Sequence, residues 1–379
     1  MKCKYYKKCS GCQLQNLDYP EQLKYKQKQL NTLLSKYGRV ERIIPMEHPF
    51  NYRNKMQCAF YYDTRQKRLA SGVYQSTRGS VVSVDYCMIE DEECQEIART
   101  VTKLCTSFKL KAFDERKGSG FVRHLLIRKG FKTGEVMLVI VTAGVNLPKK
   151  TSFVNAVIKA HPSVKTIVQN VNPDGINLTL GERSFVLYGS GYIEDELCGC
   201  RFRISPESFY QVNPTQCEIL YNTALKLAEI KDTDRVFDAY CGTGTIGIIA
   251  SKNAGEVLGV ELNAAAVYDA VKNAKNNGAN NIYFECADAG DYITELTKAG
   301  EKFDVVILDP PRAGATVRFL KALCKMKSDR IVYISCNPQT LARDLNFITT
   351  HGYRAKKTQP VDMFPHTKHM ECVVLLSKN

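Results

Sequence analysis

The sequence predicts an α/β protein in three parts: a short cysteine-bearing N-terminal segment (1–40), a β-rich central domain (41–204) and a C-terminal Rossmann-like domain (205–379). Three observations predict it. From about residue 205, short apolar runs alternate regularly with helical patterns, the signature of a doubly wound parallel sheet. Between 40 and 200 the runs are β-branched or aromatic and turn signals separate them. Cys3, Cys9 and Cys12 crowd into a stretch too short to build its own core.

The chain has 379 residues, room for two or three domains. No apolar run approaches the ~20 residues that cross a membrane. The start, Met1-Lys-Cys-Lys-Tyr-Tyr-Lys-Lys, is polar and basic, unlike a secretory signal. The expectation is a cytoplasmic protein without membrane contact, whose fifteen cysteines are thiols or metal ligands. The formal net charge is +14, and residues 1–40 carry nine Lys/Arg against two Asp/Glu. A basic surface attracts polyanions by phosphate contacts and counterion release, so nucleic acid is the leading partner. No obligate protein partner is evident.

Taken in order, the N-terminal cysteines form a C-x5-C-x2-C cluster. Cys87, after the strand-like run Val81–Tyr86, supplies a fourth thiol, with Cys94 as its rival. Four thiolates hold an iron–sulfur cluster or a tetrahedral zinc, and spacing does not separate the two. A helix is predicted from Pro20 to Tyr37, with Leu23, Leu30, Leu33, Leu34 and Tyr37 on one face and Gly38 stopping it. Lys24, Lys26 and Lys28 are expected on its wet side.

Strands are predicted at Lys55–Tyr62, Gly72–Gln75, Val81–Val84, His124–Arg128, Val136–Thr142 and Thr166–Asn170, with a turn at Pro173-Asp174-Gly175. Arg53, Lys55, Arg78, Arg123, His124 and Arg128 punctuate them. They make either an RNA-facing platform or a plain sheet with exposed cations. A domain boundary is placed near 200, after Cys198-Gly-Cys200.

In the C-terminal domain, strands are predicted at Arg235–Asp238, Val257–Glu261, Tyr283–Cys286, Val305–Leu308 and Ile331–Ile334, with a last apolar run at Cys372–Leu376. Helices are expected from the glycine loop to about Ala254 and from Ala264 to about Asn277. Ligands of such sheets bind beyond the carboxyl ends of the strands. Gly242-x-Gly244-x-x-Gly247 follows the first strand, and Glu261 ends the second. That pattern suits a dinucleotide or S-adenosylmethionine, with the acid accepting from ribose hydroxyls. Asp309-Pro-Pro-Arg312 favours the methyl donor, because its prolines stiffen a loop that holds a carboxylate beside the cofactor cleft. Cys336, at the tip of the run Ile331–Pro338, converges on the same edge as a candidate nucleophile.

These motifs carry a resemblance. Phe209-Tyr-Gln-Val-Asn-Pro214, the glycine loop, Asp309-Pro-Pro-Arg312, Ser335-Cys-Asn-Pro338 and Asp362-Met-Phe-Pro-His-Thr-x-His-x-Glu371 occur in the same order in the uracil-5 RNA methyltransferases. The set Cys3, Cys9, Cys12 and Cys87 resembles the [4Fe-4S] ligands of the branch that modifies 23S ribosomal RNA. Larger ribosomal enzymes begin with an extra RNA-binding β-barrel, whereas this chain starts at the cysteine cluster.

The resemblance implies a class I methyltransferase domain, S-adenosyl-L-methionine as cofactor, and RNA, above all 23S rRNA, as partner. It implies Cys336 as nucleophile and Glu371 as base. Gln211, Tyr240, Gly242, Gly244, Thr245, Glu261, Asp288 and Asp309 are expected at the cofactor, with Asp309 orienting either the cofactor or the uracil edge. The rival readings are a methyltransferase of the tRNA T-arm and an iron–sulfur, NAD-linked oxidoreductase on the same glycine loop.

Overall fold

A computed structural model describes residues 3–75, 81–173 and 179–379. Arg78 and the turn residues Asp174 and Gly175 lie outside these. In chain order, helix α1 (Tyr19–Leu34) precedes strands β1 (Lys55–Asp63), β2 (Arg68–Tyr74) and β3 (Val81–Ser83). Helix α2 (Glu92–Ser107), β4 (Val122–Lys129), β5 (Val136–Thr142), α3 (Lys150–Ala160), β6 (Val164–Val171) and β7 (Arg183–Tyr188) follow. A two-stranded ribbon, β8 (Ile193–Leu197) and β9 (Cys200–Ile204), leads to α4 (Pro214–Ala228). Then come β10 (Arg235–Ala239), α5 (Thr245–Ser251), β11 (Glu256–Glu261), α6 (Ala264–Asn276), β12 (Ile282–Cys286), α7 (Ala289–Ala299) and β13 (Val305–Leu308). The chain ends with α8 (Val317–Met326), β14 (Arg330–Ser335), α9 (Pro338–Thr350), β15 (Tyr353–Val361) and β16 (Glu371–Lys378).

These elements form two compact units. The first comprises residues 3–16, 48–196 and 203–207; the second, 17–47, 197–202 and 208–379. The N-terminal segment is therefore not one body. Its cysteines belong to the first unit and its helix to the second.

The first unit is a seven-stranded mixed sheet in the order β3-β2-β1-β4-β5-β6-β7. It contains two helices that the strand-rich pattern did not reveal. Ile97, Ala98 and Val101 of α2, and Phe153, Val154 and Val157 of α3, pack with Leu125, Ile127, Leu138 and Ile140 into one core. Period 2 puts Lys55, Gln57 and Ala59 on the sheet face opposite Met56, Cys58 and Phe60.

The second unit is doubly wound, with sheet order β12-β11-β10-β13-β14-β16-β15. The strands β12 to β14 are parallel, and β16 enters antiparallel between β14 and β15. The final apolar run thus reverses direction instead of extending the parallel series. Helices α1, α7, α8 and α9 share one large core on one face. Among the described residues, no helix is long and apolar enough to cross a membrane.

Helix α1 corrects one expectation. Leu30 and Leu34 are buried as predicted, and Lys24 and Lys28 are exposed, but Lys26 is fully buried. Its ammonium lies 2.5 Å from Asp362 Oδ1, also fully buried. Residue spacing put Lys26 among wet cations; a carboxylate 336 positions away holds it inside.

Candidate active site

The chain runs outward from β10 through β11 to β12, then returns to β13 on the other side of β10. Ligands bind at such a reversal, beyond the strand carboxyl ends. A cavity of about 790 Å³ opens at this edge of the second unit. Gln211, Tyr240, Gly242, Thr245, Glu261, Asp288, Asp309, Cys336 and Glu371 all line it. Gly244 does not. It turns the loop into α5 at φ +77°, and a Cβ there would sit 2.7 Å from the Phe284 ring.

The loop geometry follows from its glycines. Gly242 adopts φ +55°, and its N–H donates to Glu261 Oε2 at 3.1 Å. The other Glu261 oxygen accepts from Asn263 N at 2.8 Å, so the carboxylate is held at the end of β11. A Cβ on Gly247 would meet Asp238 Oδ2 at 2.8 Å, beneath the loop. Tyr240 holds a left-handed φ of +63° and packs its ring 5.4 Å from Phe319. Asp288 caps α7 through the N–H groups of Gly290 and Asp291.

Cys336 sits between the end of β14 and the start of α9, whose N-cap is Asn337. The Asn337 amide donates to the Arg312 carbonyl at 3.0 Å and so ties this turn to the Asp309–Arg312 loop. In the β14–β16 ladder Ser335 pairs with Cys372. Cys336 and Glu371 flank that last pair, both line the cavity, and the Glu371 charge acts on the Cys336 thiol. Glu371 is 3% exposed. Burial, and then the charge of Asp309, push its carboxyl well above the usual range, while Arg312 opposes them. Burial pushes Asp309 up to about 7.

The Cys336 thiol is pushed up to about 11 by burial, then by Glu371 and Asp309, against the pull of Arg312. A thiol just ahead of a helix N-terminus is ordinarily acidified; here burial and two carboxylates outweigh that. In the protein without substrate, Cys336 is therefore protonated near neutral pH. We expect iodoacetamide to label Cys336 far more slowly than the exposed Cys286 at pH 8, with labelling rising up to about tenfold per pH unit toward pH 11. Glu371→Gln removes a nearby negative charge and should speed labelling at pH 8. Peptide mapping by mass spectrometry reads both; a labelling rate flat in pH would contradict the thiol's high proton affinity.

Several cavity residues were not singled out from the sequence. The Arg312 guanidinium lies 3.0 Å from His369 Nδ1, and both line the cavity with Phe209 and Phe364. The buried Tyr221 hydroxyl is hydrogen-bonded to Gln211. Arg312 and His369 were legible as motif letters, but nothing in their spacing announced their contact.

Two features of the first unit bear on the other expectations. Among the described residues, no group of three or more His, Cys, Asp or Glu side chains is arranged as a metal site. Cys3, Cys9, Cys12 and Cys87 are nonetheless electrostatic neighbours. Burial raises the Cys12 thiol to about 12, reinforced by Cys9 and Cys3. Cys87 is raised chiefly by burial and Glu90, with Cys12 adding to it. Cys94, the rival fourth ligand, is buried in the core against α2's other apolar residues. On the sheet, Lys55 pairs directly with Arg128, and Ala59 with His124. Burial, Arg128 and Arg53 lower the Lys55 ammonium to about 8. Arg128 Nε and Nη1 are buried with no hydrogen-bond partner.

The doubly wound sheet with this cavity at its switch point defines an α/β methyltransferase fold. The model of the family described as tRNA (uracil-5-)-methyltransferase matches residues 186–379. An uncharacterized RNA methyltransferase of Halalkalibacterium halodurans is 42% identical over 379 residues, spanning 99% of this chain and 82% of its own. One from Clostridium tetani is 39% identical over 379 residues, with the same coverage. The crystal structure of Pyrococcus abyssi tRNA (uracil-54, C5)-methyltransferase in complex with S-adenosyl-L-homocysteine aligns with a TM-score of 0.80. It is 31% identical, covering 97% of this chain and 86% of that one. The chain belongs to the tRNA (uracil-5-)-methyltransferase family and is an RNA uracil-5 methyltransferase. The NAD-linked oxidoreductase reading is thereby set aside.

Proposed function

We propose that this protein methylates carbon 5 of a uridine in RNA through a transient bond between Cys336 and the ring. The observation that carries this is that Cys336 and Glu371 line one cavity, flanking the Ser335–Cys372 pair that ends the β14–β16 ladder. Bound S-adenosyl-L-methionine would supply an electrophilic methyl group. Tyr240, the Gly242–Thr245 loop, Glu261 and Asp288 would hold it, and Gln211 and Asp309 would border the reacting groups. The cavity is of the size that encloses a nucleoside-sized ligand. The target base must leave its stack to enter.

Carbon 5 of uracil is a weak nucleophile. The Cys336 thiol, protonated in the free protein, releases its proton to water as it adds to carbon 6, forming an S–C6 bond and an enolate whose carbon 5 is electron-rich. Carbon 5 takes the methyl group. Glu371 removes the proton left on carbon 5, the double bond reforms and the S–C6 bond breaks. The high proton affinity of Glu371 suits it to that abstraction.

The RNA substrate we propose is 23S rRNA, supported by the four-cysteine resemblance to that branch. A second reading, the uridine of the tRNA T-arm, is favoured by the Pyrococcus abyssi structure, that of a tRNA (uracil-54, C5)-methyltransferase. Mapping 5-methyluridine in both RNAs from a deletion strain separates them. Loss from 23S rRNA alone supports the first, loss from tRNA alone the second, and loss from neither refutes both substrates. Lys55 and Arg128 face each other as like charges, which costs stability unless an anion lies between them. We assign Lys55, with Arg53, to the RNA backbone; Arg128 itself is buried and feels the charge of Glu207.

Cys3, Cys9, Cys12 and Cys87 would hold the [4Fe-4S] cluster, with zinc as the alternative. Their donor chemistry fits, since thiols become soft thiolate ligands and Cys12 is an electrostatic neighbour of Cys3, Cys9 and Cys87. Methyl transfer is not an oxidation or reduction and needs no electron carrier, so the group would order the N-terminal segment. Protein purified anaerobically should contain iron and sulfide, and Cys12→Ser should lose both. Zinc at one per chain would settle for the alternative, and metal-free protein would sink the assignment.

A further inference from the structure

Residues Asp362 to Glu371 join β15 to β16 and supply Phe364, His369 and Glu371 to the cavity. Helix α1, more than 300 residues earlier, holds this segment from behind. Lys26 Nζ donates to Asp362 Oδ1 at 2.5 Å and to the Phe364 carbonyl at 3.0 Å. Tyr19 Oη donates to Asp362 Oδ2 at 2.8 Å and accepts from Met46 N at 2.8 Å. Gln22 Oε1 accepts from His366 N at 2.9 Å, while its Nε2 lies 3.1 Å from His366 Nδ1. Helix α4 completes the cradle: Gln216 and Asn213 donate to the carbonyls of Asp362 and Met363 at 3.1 and 2.9 Å. His366 has a φ of +68°, so the backbone there takes a shape it would not choose alone.

Lys26 and Asp362 are both completely buried. A buried ion pair is a poor source of stability, and apolar residues of similar size often replace one without loss. What such replacements cannot supply are the directional bonds to the Phe364 carbonyl and the Tyr19 hydroxyl. We propose that Lys26, with Tyr19 and Gln22, acts as a positioning residue that sets the Asp362–Glu371 segment so that Glu371 reaches the proton on carbon 5. This rests on Glu371 being the base, and it makes α1 part of the catalytic apparatus.

The test compares wild type, Lys26→Met/Asp362→Leu, Tyr19→Phe and Glu371→Gln on the same RNA. Four quantities are read: melting midpoint, kcat, KM for the methyl donor, and the fraction of protein in a denaturation-resistant RNA adduct. The double variant should melt close to wild type, lose about 10- to 100-fold in kcat, the loss typical of supporting contacts around a site, and keep its donor KM within about twofold. It should also accumulate methylated adduct on ordinary RNA, because proton removal becomes the slow step. Tyr19→Phe should do the same more weakly, by a factor of several in kcat. Should the double variant not fold, Tyr19→Phe decides by the same readouts. Wild-type turnover with no adduct in a folded variant overturns the proposal while leaving the function standing. If Glu371→Gln itself traps no adduct, the assignment of the base has failed instead.

Discussion

Cys336→Ala is expected to abolish methyl transfer, with a loss in kcat of at least about 10⁴-fold, as befits a nucleophile whose removal stops the covalent route. Without sulfur on carbon 6, carbon 5 has no enolate to draw on, and among the described residues nothing else lining the cavity offers a comparable nucleophile. Cys241, the other cysteine lining it, is buried in the glycine loop with its thiol raised well above the usual range by burial. The sharper readout is RNA carrying 5-fluorouridine, where fluorine cannot leave as a proton does. Wild type should form a stable adduct with it, and Cys336→Ala none. Donor binding, measured by calorimetry, should be unchanged, since the loop around Gly242 does not depend on the thiol. An adduct that persists in the alanine variant would move the nucleophile elsewhere.

Glu371→Gln should have the next largest effect. Loss of a positioned base typically costs about 10²- to 10⁴-fold. Here the loss should appear after methylation, so the methylated adduct should accumulate on ordinary RNA. The same substitution has a stability signature. Glu371 holds its proton more tightly folded than unfolded, its folded value lying well above the ordinary 4.5. Between those values the native state binds more protons, so stability falls as pH rises. The cost is absent below the unfolded value and fully present above the folded one. Glu371→Gln should therefore melt higher than wild type at neutral pH and lose its advantage near pH 4. Melting curves from pH 4 to 8 check this, and an advantage that grows toward acid would contradict it. A site more stable without the carboxylate we propose as its base is expected where function and stability compete.

Much of the site was legible because its signals are local. An apolar strand ending in a polar loop declares itself within eight residues, and Ile331–Pro338, Val305–Arg312 and the glycine loop all read that way. Parallel strands in one sheet share an edge, so reading them as strands already brings Tyr240, Glu261, Asp309 and Cys336 together. The first unit was less legible. Its strands are dense in β-branched residues, and α2, with Cys, Thr and Arg among its apolar positions, resembles the loops around it until Ile97, Val101 and Cys105 are seen to share a buried face.

Spacing and composition thus sufficed for the strand–loop motifs, the glycine turn and the basic character of the chain, since each depends on neighbours a few residues apart. The direction and place of β16, the seating of α1 against Asp362, and the meeting of Arg312 with His369 depend on partners tens to hundreds of residues away. Period-2 and period-3.6 patterns describe which face of an element is buried and are blind to what covers it. Glu371 comes to the cavity beside Cys336 because the last strand is inserted backwards beside β14, so that the start of β16 lies at the end of β14.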